Sequence, residues 1–74
     1  MTTAVGWNIF VIYEDKSDAQ LWVVFRSDLE EAIAGVAGAV HTVMPGSYRY
    51  IHKPAIQATL DLLNLKPGDM VQWA

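Results

Sequence analysis

The chain contains no cysteine. That excludes a disulfide framework and any thiolate metal site, so its 74 residues must be held by packing, alone or with a partner. Cations are scarce as well: five Lys and Arg stand against eight Asp and Glu, for a net charge of −3. Affinity for duplex DNA is built largely from Lys and Arg on phosphates, so this balance argues against nucleic acid as the main partner. Long apolar runs are missing too. The run Trp7–Tyr13 ends in Glu14 and Asp15, too short for a membrane span or a signal-peptide core, and the opening MTTAVGW lacks a basic segment. The expectation is a cytoplasmic protein with no membrane association. Only His41 and His52 offer imidazoles, with no carboxylate at a ligand spacing, and zinc normally takes three or four protein ligands. No phosphate-binding glycine loop and no nucleophile elbow occurs. Glu30 and Glu31 are adjacent on a helix and diverge, so they do not form a catalytic pair. The chain is therefore expected to be no enzyme and to need no cofactor or metal.

What is abundant is apolar surface, at 53% of residues. WNIFVIY (7–13) and QLWVVFR (20–26) are rich in β-branched and aromatic residues and read as an antiparallel hairpin. Ser27 reads as the N-cap of a following helix, with Glu30 completing a capping box. Leu29, Ile33, Val36 and Val40 recur on one face of that helix, which should end near Val40 or His41. Gly35 and Gly38 weaken it and allow close packing on the sheet. Pro45-Gly46-Ser47 is a turn, and Tyr48–His52 reads as a third strand with Tyr48 and Tyr50 on one face and Arg49 on the other. Pro54 suits the first position of a second helix, with Ile56, Leu60 and Leu63 inward and Leu62 at the edge. Lys66-Pro67-Gly68-Asp69 stops it, and Met70–Trp73 closes the chain as a strand. The expected fold is α+β: one small domain over residues 1–74, in the order β-β-α-β-α-β, with a mainly antiparallel sheet and two helices.

Two features bear on function. A half-exposed hairpin should alternate apolar and polar residues, and this one is apolar on both faces in its middle. Trp7, Ile9, Val11 and Tyr13 share one face of the first strand, while Phe10 and Ile12 take the other. Two short helices must cover one face each, or leave one open as an interaction patch or homodimer surface. The second feature is charge asymmetry. Up to residue 40, six carboxylates against two cations leave −4; from residue 41 on, three cations against two carboxylates leave +1. These features predict a protein-binding surface in which Glu14, Asp15, Asp18, Glu30 and Glu31 steer a basic or mixed partner, and Trp22 and Trp7 supply the apolar centre.

Two resemblances sharpen this. LNLKPGDMVQW (63–73), with Ile51, Lys53 and Ile56 before it, resembles the C-terminal half of AbrB-like swapped-hairpin proteins, although Gln57 stands where that family has an arginine. The resemblance implies a dimeric DNA-binding regulator or antitoxin with Arg49 and Lys53 on one basic face. In kind, the cysteine-free, acidic, motif-poor chain resembles small phage-encoded regulators of host transcription. That implies a monomer or homodimer in the host cytoplasm, binding RNA polymerase or one of its factors. The leading expectation is a non-enzymatic, protein-binding inhibitor or regulator of this second kind.

Overall fold

Stretches rich in β-branched and aromatic residues favour strands, and the first two strands are built from such stretches. A computed structural model describes residues 5–14, 19–43 and 46–73. The elements are β1 (Gly6–Tyr13), β2 (Ala19–Val24), α1 (Leu29–Val43), β3 (Tyr48–Ala55), α2 (Gln57–Leu62) and β4 (Met70–Gln72). The strands form one antiparallel sheet in the order β3-β1-β2-β4, so the fold is α+β in the order read from the sequence. No described helix is long and apolar enough to cross a membrane.

The registers fix which side chains share a face. Ile9 lies level with Trp22 and His52, and Trp7 with Val24 and Pro54. This face carries α1. Ile9, Val11 and Val24 bury against Ala32, Val36 and Val40, with Trp7, Trp22, Ile33, Tyr48 and Tyr50 around them. The helix starts on Asp28, whose Oδ1 accepts the Glu31 N–H at 3.0 Å. Asp28, not Ser27, is therefore the N-cap, because the helix opens one residue later than the capping-box spacing suggested. The helix also runs on to Val43. Gly35 lies beside Met70 Sδ with room for a methyl and Gly38 faces open space, so neither glycine is needed for close packing.

The opposite face carries α2, six residues long, over one end only. Leu60 is buried with Val23 and Ala55, and Phe25, Leu63, Leu65 and Val71 pack around them. Gly6 lies beneath: a Cβ there would come within 2.5 Å of the Val24 carbonyl oxygen and 3.3 Å of Leu60 Cδ1. Pro54 does not begin α2; it belongs to β3, and α2 starts at Gln57. Proline disfavours helical geometry in the residue before it, and an edge strand tolerates its missing N–H. The later start leaves Ile56 65% exposed and Leu62 76% exposed, so Ile56 is not part of the inward stripe.

The stretch after α2 is built from local bonds. Leu65 N–H donates to Leu60 O and Asn64 N–H to Asp61 O, with Asn64 in the left-handed region at φ 56°. This is a Schellman stop, in which Asn replaces the usual glycine and the Leu60–Leu65 contact completes the motif. Asp69 N–H then donates to Lys66 O, and Gly68 has φ 95°, so Pro67-Gly68 forms the tight turn that proline and glycine prefer. Asp69 Oδ2 also accepts the Lys66 N–H, tying the turn to β4.

Candidate functional site

The residues expected to form a binding surface fall in separate places. Trp7 and Trp22 are half-buried on the face covered by α1. Trp7 Nε1 donates to the Ser27 carbonyl at 3.1 Å, and Trp22 Nε1 to Gln20 Oε1 at 3.0 Å. Trp22 borders a small recess with Tyr13, Ala39, Val40 and Gln72. Glu30 and Glu31 are exposed at the start of α1, and Glu31 pairs with Arg26 at 3.4 Å. Glu14 is exposed beyond the far end of β1, its N–H bonded to Ser47 O at 3.3 Å. The α1 start lies by Trp7 and its end lies by Tyr48, where His41 meets the Tyr48 ring edge-on. Glu14 and Glu31 therefore stand at opposite ends of β1, roughly 25 Å apart at ~3.3 Å per residue. Asp15 and Asp18 lie outside the described residues. A single acidic rim around a tryptophan centre is not what the described residues assemble.

They assemble a different surface. Because α2 is short, among the described residues it covers this sheet face at one end, around Gly6, Val23, Phe25, Ala55 and Val71. Across the middle of that face runs a row of four large apolar side chains, one each on β3, β1 and β2 and the fourth just past β4. Phe10 is level with Ile51 on one side and Leu21 on the other. Trp22 is level with Gln72, and Trp73 N–H donates to Leu21 O at 2.7 Å, so Trp73 continues the row beside Leu21. Four strands about 4.8 Å apart make this belt roughly 14 Å long between its outer strands. Its ends are open, with Ile51 47% and Trp73 49% exposed, and Phe10 and Leu21 are half-buried between them. None of the four belongs to a buried core cluster.

Cations flank the belt along β3. Arg49, Ile51 and Lys53 are all exposed and, by strand alternation, point to the same face. Arg49 is level with Ile12 and Lys53 with Asn8. Among the described residues the ion pair is Arg26–Glu31, so Arg49 and Lys53 are unpaired there. Next to Lys53, Asn8 Oδ1 is buried with no hydrogen-bond partner among the described residues.

The two histidines are spent on aromatic contacts. His41 Nε2 lies 3.5 Å from the Tyr50 hydroxyl, and His52 meets Trp7 edge-on at 5.4 Å. No group of three potential metal ligands occurs among the described residues. Around His41 the rings of Tyr13, Tyr48 and Tyr50 gather, and the phenol of Tyr48 is pushed up to about 12. Its burial is the main cause, followed by a hydrogen bond with Tyr13 and the charges of Tyr13 and Tyr50.

Sequence reasoning found the two-faced hairpin, and the two tryptophans it named lie on the face that α1 covers. Alternation had already separated Phe10 and Ile12 from Trp7. What it lacked was the cross-strand register that aligns Ile51, Phe10, Leu21 and Trp73, and the shortness of α2 that leaves them open. No family model, curated protein or solved structure matches the chain.

Proposed function

We propose that the protein is a non-enzymatic binding module that docks on a larger protein through the uncovered sheet face. The observation that carries this reading is the Ile51–Phe10–Leu21–Trp73 belt. An apolar row left open across a sheet, beside cations with no ion pair among the described residues, is the kind of patch that marks a contact site, and a half-exposed tryptophan is a favoured anchor. The belt supplies desolvation energy, and Arg49 and Lys53 set orientation. The partner surface is then apolar with acidic neighbours. In its most specific form the reading is a regulator that occludes a docking surface on RNA polymerase or a transcription factor, supported by the resemblance in kind to small phage-encoded regulators.

Immobilised protein exposed to lysate of the source cells tests this, with mass spectrometry identifying what is retained. An Ile51→Asp/Trp73→Asp variant should lose the retained partner, whereas Glu30→Lys, on the far side of α1, should keep it. Both belt positions are about half exposed, so the variant should fold. Equal retention by the belt variant overturns the reading.

A second reading is favoured by one observation, the placement of Arg49 and Lys53 on one open face. It is the dimeric DNA-binding regulator implied by the AbrB-like stretch. Duplex binding in a gel shift at low salt, lost on Arg49→Glu/Lys53→Glu and weakening steeply with added salt, would support it. No shift at low salt removes it.

A further inference from the structure

We propose that the outer edge of β3 receives an extended segment of a partner protein in which acidic residues flank an apolar one at alternate positions. The inference deepens the docking reading by naming what the cationic side of the face binds.

The backbone decides which groups are on offer. Along an antiparallel strand, hydrogen bonds point alternately to one neighbour and the other. Leu21 O accepts from Trp73, and Phe25 exchanges bonds with Asp69 and Gly68, so the odd residues of β2 serve β4 and its even residues serve β1. Through the β1–β2 register the odd residues of β1 then bond β2, leaving its even residues for β3. The Glu14 N–H bond to Ser47 O agrees with this. It follows that Arg49, Ile51, Lys53 and Ala55 bond inward to β1, while Tyr50, His52 and Pro54 turn their main-chain groups outward. Tyr50 and His52 each offer an N–H and a C=O there, and Pro54 offers a C=O alone. No described strand lies beyond β3.

The two edges of the sheet differ. β4 is three residues long, and shortness is one way proteins blunt an edge. β3 is eight residues long, and its proline limits only one end. A row of outward N–H and C=O groups is complementary to another extended strand. An added antiparallel strand bonded to Tyr50 and His52 places three of its residues directly opposite Arg49, Ile51 and Lys53. Those are the pairs with no main-chain bond between the two strands, where facing side chains approach most closely. The guanidinium and ammonium, unpaired among the described residues, call for carboxylates opposite them, and Ile51, at the end of the belt, calls for an apolar residue.

The same charges disfavour a second copy. Antiparallel self-pairing centred on Ile51 would place Arg49 opposite Lys53 of the other chain. Within the chain itself, no segment has acid, apolar residue and acid at alternate positions.

The probe is the blocked peptide Thr-Glu-Thr-Val-Thr-Glu-Thr, titrated into nitrogen-15-labelled protein and followed by amide chemical shifts and hydrogen exchange. The expected result is that the Tyr50 and His52 amides shift and become protected. Arg49→Glu/Lys53→Glu should weaken the peptide by about tenfold, and the charge-reversed peptide Thr-Lys-Thr-Val-Thr-Lys-Thr should bind that variant in its place. The proposal falls if the peptide leaves these amides unchanged, or if its affinity ignores the charge reversal. It also falls if the same amides respond to protein concentration without peptide, which would make a second copy the occupant. Trp73→Asp separates this inference from the docking reading. Trp73 lies on the far edge of the sheet, so its replacement should abolish partner retention without altering peptide affinity. If retention still depends on Trp73 while the peptide fails, only the edge inference is lost.

Discussion

Tyr48 carries the clearest electrostatic signature of any single residue. Its ring lies 4.4 Å from that of Tyr13 and 4.9 Å from that of His41, and it is half-buried at the end of α1. Burial raises its phenol from 10.0 to about 12, so the folded state favours the neutral form. Burial also raises Tyr50. A raised folded pKa contributes stability that is fully present below the unfolded value and is lost as pH climbs through the folded value. Urea midpoints should therefore hold steady with respect to this group up to pH 10 and fall between pH 10 and about 12. Tyr48→Phe should flatten that fall, and phenolate absorbance should show one late-titrating tyrosine fewer. The sequence announced the neighbours Tyr48 and Tyr50 but not this cluster. Tyr13 and His41 join it only through the β1–β3 register and the length of α1, which are tertiary facts.

At the level of elements, α2 is the piece on which the open face depends. Isolated helices shorter than ~12–15 residues are marginal in water, and α2 has six. Its N-cap, Ile56, makes no side-chain cap bond, so the helix is held by Leu60 and by the Schellman stop at Asn64. Leu60→Ala should therefore cost about 2–5 kcal/mol, more than its length in sequence suggests. It should also free the amides of α2 to exchange ahead of those of β1, readable by hydrogen exchange with denaturant unfolding as the control. Strand identities and the turn before β4 were legible, because alternation and Pro-Gly are local signals. The stop of α2 was expected at Lys66–Asp69 and comes earlier, at the left-handed Asn64 after Leu62. The start of α2 was not legible either. Pro54 satisfies both a helix start and an edge strand, and only pairing with Trp7 across the sheet decides between them.

For the molecule as a whole, the decisive quantity is covering material against surface. The sheet is apolar on both sides, α1 has fifteen residues and α2 has six, so one face closes and the other closes only at one end. The chain's size told in advance that two full layers were hard to build, but it could not say which side would be short. That asymmetry sorts the three tryptophans. Trp7 and Trp22 are half-buried beside α1 with their indole N–H groups bonded, while Trp73 stands at the rim of the open face. Quenching by acrylamide or iodide should therefore act chiefly on Trp73. Trp73→Phe should remove the most accessible part of the emission and leave a slowly quenched remainder from Trp7 and Trp22. The same experiment with an Ile51→Asp background should leave quenching of Trp73 unchanged, since Ile51 lies at the other end of the belt. If the indoles instead quenched alike, or Trp73 proved the best shielded, the open face would have to be covered, and the belt would be core and no longer a contact surface. Partner binding makes the complementary prediction: an occupant seated across the belt should shield Trp73 and leave Trp7 and Trp22 as they were.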